Sequence, residues 1–438
     1  MSSGAEQPAQ SEDASPSRNP VDRPGWKRDV AIFLSGQTVS LLGSMLVMYA
    51  VMWHLTIVTG SGTVLMLSLV FGMLPQAVVS IFGGVWADRH NRKLLIMGAD
   101  TAIAVATLVL AFLMLSGIDS LWVIYTALAV RSIFAGIQTP AVTAMIPQIV
   151  PEAQLMRVNG MFQSVQAGMM LLAPAAAAVI YANMDIVAVF FIDAATALIG
   201  VGLLAFIRVP TIVRSGEGPE TYFGDLVAGV RYIRSHSSVK WLTGLFALVM
   251  LLTGAPGYLT PLLVAREFGE EVWKLTVNEL AWGVGFLAAG ALVTVIGPKI
   301  RRRIRFVVFA LLASAVLTAT LGLSPNLLVL CVLGALVAAT YSLMNAPTMT
   351  ILQERVEPEM QGRVFGFVGI VMATAMPISM IIFGPLADVW SERTVIIFAG
   401  TLLVATLIGI FSIPSARRSL AAVDAPVAEG RGAGTPAS

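Results

Sequence analysis

Gly84-Val85-Trp86-Ala87-Asp88-Arg89-His90-Asn91-Arg92-Lys93 sets one acid and three bases between two long apolar runs, 63–85 and 94–115. A helix needs about 20 residues to cross a hydrocarbon core of ~30 Å, and both runs reach that length. Charge this dense is too costly to sit among lipid tails. The turn therefore lies at a membrane face, and the sign of its charge says which one.

Working outward, the same alternation of apolar run and charged turn continues. The chain is 57% hydrophobic and 12% charged, against about 25% charged in soluble domains, which makes it an integral membrane protein. A net charge of +2 supplies no basic field for nucleic acid. Cys331 is the single cysteine, so an intrachain disulfide and a cysteine-cluster metal site are both excluded, and no cofactor is expected. The first apolar run, 30–55, is too long for a cleavable signal peptide and lacks a small-residue cleavage site.

Twelve spans are expected: 30–55, 63–86, 94–115, 120–146, 155–182, 186–207, 239–264, 277–297, 304–322, 326–351, 362–387 and 393–413. An even number puts both termini on one side. With that side cytoplasmic, all but Arg131, Arg266, Lys274 and Arg393 of the 27 Lys and Arg residues fall in cytoplasmic segments. The positive-inside rule then fixes the orientation. The expected organisation is a disordered tail (1–28), a six-helix bundle (29–208), a linker (209–238), a second six-helix bundle (239–414) and a disordered tail (415–438). In the linker, Phe223, Leu226, Val227, Val230 and Ile233 fall at helical spacing. That pattern predicts an amphipathic helix on the cytoplasmic leaflet.

The two halves echo each other. At an offset of 207, Pro140 meets Pro347, Thr143 meets Thr350, and Pro151, Glu152 and Gln154 meet Pro358, Glu359 and Gln361. One residue then slips, and Arg157-Val158-Asn159-Gly160 matches Arg363-Val364-Phe365-Gly366. A six-plus-six duplication predicts this pattern.

Set beside these features, the opening turn resembles the loop 2–3 signature of the major facilitator superfamily, Gly-x-x-x-Asp-Arg-x-x-Arg-Lys. Gly84, Asp88, Arg89, Arg92 and Lys93 match it; Trp86 stands where Leu is usual and Asn91 where Gly is usual. Gly36-Gln37…Ser40-x-x-Gly43-Ser44, Phe191-Ile192-Asp193-Ala194 and Ala228-Gly229-Val230-Arg231-Tyr232 resemble the macrolide-efflux and enterobactin-exporter branch of the drug:proton antiporters. The resemblance implies an all-α membrane protein: two pseudo-symmetric six-helix bundles around a cavity lined by spans 1, 4, 7 and 10. It implies that Asp88 meets the positive end of a helix in the other bundle in the outward-facing state, while the bases tie neighbouring helices. It also implies a monomer in the bacterial cytoplasmic membrane, a small amphiphilic substrate and a proton as coupling ion. A Gly-Pro-rich antiporter element in span 5 is represented by Gly168 and Pro174, with alanines replacing several glycines.

Ionisable groups inside spans are few, so each is informative. Arg131, near the middle of span 4, resembles the family's span 4 arginine, although Gly136 follows one position late. It either faces the cavity for coupling or pairs with a buried acid. Asp193 lies at matching depth in span 6 and is the acid expected for such a pair. Asp100, two turns beyond Arg92, is expected to support the turn by pairing with Arg89 or Arg92. Span 1 has no mid-span acid; its polar side offers Gln37, Ser40 and Ser44. With Gln138 and Asn345 these are the candidate cavity-lining residues. Spans 5, 7 and 10 also lack acids, so a neutral to slightly positive cavity is expected, suited to neutral, zwitterionic or anionic amphiphiles.

Three scattered histidines, no Gly-x-Ser-x-Gly elbow and no phosphate-binding loop argue against an enzyme. The expected function is proton-coupled efflux of bulky amphiphiles. The alternatives are export of a siderophore or lipid-like metabolite, proton-coupled import, and a receptor or scaffold that transports nothing.

Overall fold

The structure, a computed structural model, describes residues 25–207, 209, 219–300 and 302–421, without the side chains of 85, 88, 219–223, 225, 255, 298 and 421. The described residues form helices and no strand. The first six spans are α1 (Trp26–Thr59), α2 (Gly62–Arg89), α3 (Arg92–Leu115), α4 (Leu121–Ile149), α5 (Leu155–Asn183) and α6 (Ile186–Ala205). A linker helix, α7 (Pro219–Ser235), follows. The last six spans are α8 (Ser237–Leu263), α9 (Val272–Ile296), α10 (Arg303–Leu321), α11 (Leu327–Arg355), α12 (Pro358–Val389) and α13 (Glu392–Ser412), before a short α14 (Pro414–Ala421). Twelve of these helices are long and apolar enough to cross a membrane.

Helix neighbours reproduce the internal duplication. In the first half α1 packs on α5 and α6, α2 on α4, and α3 on α4 and α6. In the second half α8 packs on α12 and α13, α9 on α11, and α10 on α11 and α13. Each pair maps onto its counterpart when the span number rises by six. The halves meet through α2 against α12 and α5 against α9, contacts that exchange under the same mapping. The result is two pseudo-symmetric six-helix bundles.

Small residues decide how closely helices approach, because lipid leaves little hydrophobic gain for helix association and close van der Waals packing must supply it. A Cβ at Gly136 would lie 2.9 Å from the Gln76 carbonyl oxygen of α2, and one at Gly200 3.2 Å from Ser40 of α1. Pro75 interrupts α2, and the neighbouring Gln76 N–H donates to Ser132 Oγ of α4 at 2.9 Å. A neighbouring helix thus supplies a backbone partner beside a proline, as a bilayer interior requires.

Three expected boundaries are corrected. Residues 26–28, assigned to the first tail, already belong to α1, and residues 415–421, assigned to the last, belong to α14 (Pro414–Ala421). Ala416 and Leu420, four apart, are fully buried, and Ser419 bonds Ser237 and Ser238, so this segment has an apolar stripe and a dock on α8. The linker helix forms, but it lies on protein rather than on the leaflet alone. Tyr232 and Ile233 are buried, Tyr232 Oη accepts from Glu357 N–H at 3.3 Å, and Gly229 abuts the Arg363 backbone. Its exposed bases, Arg231 and Arg234, remain on the outer flank. The third correction is the start of α9 at Val272, five residues before the expected edge. Hydropathy undervalues a charged first turn, and this one holds Lys274.

Candidate functional site

A cavity of about 760 Å³ lies between the bundles. Its walls come from α1, α4, α8 and α11, as the resemblance implies, and also from α2, α5, α9 and α12. They are mostly aliphatic, methionine-rich and aromatic; Met48, Met52, Met73, Met250, Met372 and Met376 all contribute. Among the five candidate lining residues, Ser44 and Asn345 reach the wall. Gln37, Ser40 and Gln138 do not. Gln37 and Ser40 are buried, and Ser40 packs against Gly200 of α6. The polar side of span 1 is therefore a small-residue packing stripe, and the cavity side is the methionine-bearing one. Gln138 instead donates to Asp100 Oδ1 at 3.0 Å.

That bond also corrects the reading of Asp100. It is 3% exposed, turned toward α4, and forms no pair with Arg89 or Arg92. Eight helical residues separate Asp100 from Arg92, about 12 Å, and the Arg92 guanidinium extends the other way.

Arg131 lines the cavity and meets Asp193. Its Nη1 lies 2.5 Å from Asp193 Oδ2, and Thr107 Oγ1 donates to the same oxygen at 2.9 Å. Arg131 also bonds the Thr107 hydroxyl. The matched depth of the two charges thus corresponds to a buried pair joining α4, α3 and α6. Of the span 5 residues, Pro174 is buried, whereas Gly168 faces open space.

The two ends of the bundles carry polar clusters. At the end holding the opening turn, the basic face, the bases bond backbone carbonyls in the final turns of neighbouring helices. Arg92 Nε donates to Ala87 O of α2 at 2.9 Å, and its Nη1 to Ala144 O of α4 at 2.7 Å. Lys93 Nζ donates to Ala205 O and Ile207 O at the end of α6, at 2.7 and 2.8 Å. Cations at helix C-termini are favoured by the orphan carbonyls and the dipole there. Asn91 explains its departure from the usual Gly: it is the N-cap of α3, accepting from Lys93 N at 3.1 Å and Leu94 N at 3.4 Å. A Cβ at Gly84 would meet nothing, whereas one at Gly136 would crowd α2, so the close α2–α4 approach does not depend on the signature glycine. Arg89 is exposed, and the Asp88 side chain lies outside the described residues.

At the opposite end, the far face, contacts cross between bundles. Asp388, near the end of α12, accepts from Gly62 N–H at 2.7 Å and Thr63 N–H at 2.8 Å, two orphan donors at the start of α2. It also accepts from Ser61 Oγ at 2.9 Å and Thr63 Oγ1 at 2.5 Å. Arg266, in the π-helical turn Val264–Phe268 after α8, donates to Gly60 O of the first bundle at 2.9 Å and to Ala387 O at 3.0 Å. It also meets Glu392 at 2.6 Å and Asp388 at 3.3 Å. Glu392 is only 3% exposed. Below the cluster, a Cβ at Gly384 would lie 2.6 Å from Met66 Cβ and 2.9 Å from Gly62 O. The far face is closed between α2 and α12.

The sequence reading missed this cluster and one cavity residue, Glu279. Signals for both were present. Arg266, Lys274 and Arg393 were the loop exceptions to the positive-inside rule, and all three are ion-paired here. Gly384-Pro385-Leu386-Ala387-Asp388 repeats the Gly-x-x-Ala-Asp of Gly84–Asp88 at the opposite membrane face. Glu279 was hidden by the misplaced start of α9. It lines the cavity, so the wall holds an acid that the sequence reading did not place there. Arg131 is paired with Asp193, and Glu279 forms no ion pair among the described residues.

Two bundles of six membrane-crossing helices around a shared apolar cavity define a membrane transporter fold. The chain belongs to the Major Facilitator Superfamily, whose family model matches residues 31–379. It is 29% identical over 382 residues to Macrolide efflux protein A of Streptococcus pyogenes, covering 86% of this chain and 94% of that relative. It is 24% identical over 365 residues to Multidrug efflux pump Tap of Mycobacterium bovis (strain BCG / Pasteur 1173P2), covering 79% and 84%. Among solved structures, a bacterial homologue of the human lysosomal transporter Spinster shares the fold with a TM-score of 0.65 at 13% identity, covering 92% of this chain and 98% of that one.

Proposed function

We propose that this transporter is a secondary active exporter that moves bulky amphiphilic compounds across the cytoplasmic membrane by alternating access, coupled to protons. The basic face is the cytoplasmic one, following the distribution of Lys and Arg. The observation that carries the reading is the cavity: about 760 Å³, largely apolar, and walled by helices of both bundles, so that its shape depends on how the bundles sit. Efflux relatives aligned over most of the chain support the direction of transport.

In this reading the described state is closed to the outside by the Asp388–Arg266 cluster. Opening the far face separates Asp388 from the start of α2 and Arg266 from Gly60. The Asp88 turn offers the matching acid at the cytoplasmic face for the alternate state. Arg131 and Asp193 hold the first bundle rigid while it rocks.

An accumulation and resistance screen in an efflux-deficient host tests the reading. Expression should lower the cellular content of several amphiphilic dyes and antibiotics, and a substrate pulse should shift the internal pH of proteoliposomes. Equal accumulation of every compound with and without expression would refute export. Active transport with no pH change would refute proton coupling.

A further inference from the structure

The first bundle holds a second cavity that the transport reading leaves unused, and the inference drawn from it rests on that reading for its orientation alone. The cavity, of about 800 Å³, lies between α1 and α5. Near the far face the two helices are joined, His54 Nδ1 lying 3.2 Å from Tyr181 Oη. Toward the basic face a groove parts them, lined by Leu34, Ser35 and Val39 of α1 and by Gly160, Met161 and Val165 of α5. Leu34 is buried, while Ser35, Gly160 and Met161 are exposed. A Cβ at Gly160 would meet nothing, so the groove is open beside it. Val39 lies about 20 Å from the start of α1 and Val165 about 15 Å from the start of α5, at the depth of acyl chains.

Three bases stand at the mouth of this groove. Arg157 lines it and is exposed, three and four residues before Gly160 and Met161 on one face of α5. Lys27 and Arg28, also exposed, precede Leu34 and Ser35 by seven residues, which puts them on the same stripe of α1 about 10 Å nearer its start. None of the three forms an ion pair among the described residues. Asp29 falls about 150° round the helix from the middle of that stripe, and Glu152, exposed in the turn before α5, leaves the bases in excess. Cationic at its mouth and apolar along its length, the groove complements an anionic amphiphile lying along the helices.

The second bundle covers the matching site with protein. At the offset of 207, Ser35 and Val39 fall on Leu242 and Phe246 of α8, each 2% exposed. There α7 packs on α8 and α12, and α14 packs on α8. Gly229 of α7 abuts the backbone of Arg363, the counterpart of Arg157. Residues 1–24 precede α1 as α7 precedes α8, but Met1 and Val21 are their only large apolar side chains, too few to fill an apolar groove.

We propose that the α1–α5 groove binds an anionic phospholipid of the cytoplasmic leaflet, which takes the place that α7 fills in the second bundle. The headgroup phosphate sits on Arg157 with Lys27 and Arg28 beside it. One acyl chain runs past Gly160 and Met161 toward Val39 and Val165. The lipid joins α1 to α5 over the half of their length where the groove parts them.

The test uses the purified full-length chain in detergent and a fluorescent phosphatidylglycerol as probe. Unlabelled phosphatidylglycerol should displace the probe, and phosphatidylcholine should compete about tenfold less well or worse. Inorganic phosphate and a peptide of residues 1–24 should not compete. Arg157→Gln should weaken binding about fivefold or more, and Arg157→Lys should retain most of it. Gly160→Leu, whose side chain enters open space, should weaken binding as far while the thermal midpoint of the lipid-free protein holds. Arg231→Gln removes a base exposed on α7 at the same face and should leave binding nearly unchanged. Equal competition by phosphatidylcholine, undiminished binding by Arg157→Gln and Gly160→Leu, or the same loss in Arg231→Gln overturns the proposal, because attraction of lipid to the whole basic face would then suffice. Displacement by phosphate would leave a site for a small anion, and displacement by the peptide would give the groove to the tail; either overturns the lipid assignment. Binding in detergent requires neither an orientation nor transport. An accumulation screen without effect therefore refutes export and leaves the site standing, and a titration without Arg157 dependence refutes the site and leaves export standing.

Discussion

The two ends of α2 use the same chemistry to opposite effect. At the basic face Arg92 and Lys93 bond carbonyls at the ends of α2 and α6, and Arg92 also bonds one in the last two turns of α4, all within the first bundle. At the far face Arg266 caps the ends of α1 and α12, and Asp388 caps the start of α2, so these bonds join one bundle to the other. Charge meeting helix terminus stabilises both ends. What differs is whether the partner helix shares the rigid body. In the proposed alternating access, bonds inside a bundle survive the rocking and serve architecture, whereas bonds between bundles exist in one state only and set its population.

The largest effect is expected for Arg266→Ala. It strips Glu392 of its cation while leaving that carboxylate buried, a loss of about 2 kcal/mol after allowing for the partial exposure of the arginine. The thermal midpoint of the purified protein should fall, and adding Glu392→Gln should recover much of it. Equal damage in the double variant would mean that the bonds to Gly60 and Ala387 dominate the cluster.

Gly384→Ala should come next. The new methyl meets Met66 and Gly62 at separations that force the far ends of α2 and α12 apart. In a Cys331→Ala background carrying Met66→Cys, labelling by an impermeant thiol reagent from outside should rise strongly. Unchanged labelling would show that the far face closes without this helix contact.

Asp388→Asn keeps the shape and loses the charge. Hydrogen bonds to a charged group contribute about 1.5–3 kcal/mol each where buried, and less at this partly exposed site. The same Met66→Cys labelling should rise about tenfold or less, with folding intact. A smaller shift of opposite sign is expected for Asp88→Asn, which should depress labelling and impair transport while leaving insertion unchanged. Asp88→Asn with full transport and unaltered labelling would reduce the opening turn to an orientation signal and end the comparison.

Legibility followed distance along the chain. Spans, the duplication and the fold class were readable, because apolar length and the spacing of charged turns are local properties. The family signature was readable for the same reason. Arg131 and Asp193 were findable because depth in a membrane is countable from a helix end. Rotation about the helix axis is not countable in this way. Gln37 and Ser40 looked like a cavity face, yet α6 occupies that side of α1. Asp100 looked like a partner for the turn, yet its side chain points at Gln138. Glu279 escaped because α9 begins a turn earlier than hydropathy suggests.

The sequence by itself determined that this chain crosses a membrane twelve times, that its halves are repeats, and that its basic turns share one face. Those properties follow from the cost of charge and of unpaired backbone in hydrocarbon, which each segment meets alone. Only the tertiary structure decided which acid faces the cavity, which charges cancel within a bundle, and which end of the molecule is bolted shut. Those depend on which side of each helix its neighbours occupy, and in lipid that is settled by the close packing of small residues drawn from distant parts of the chain.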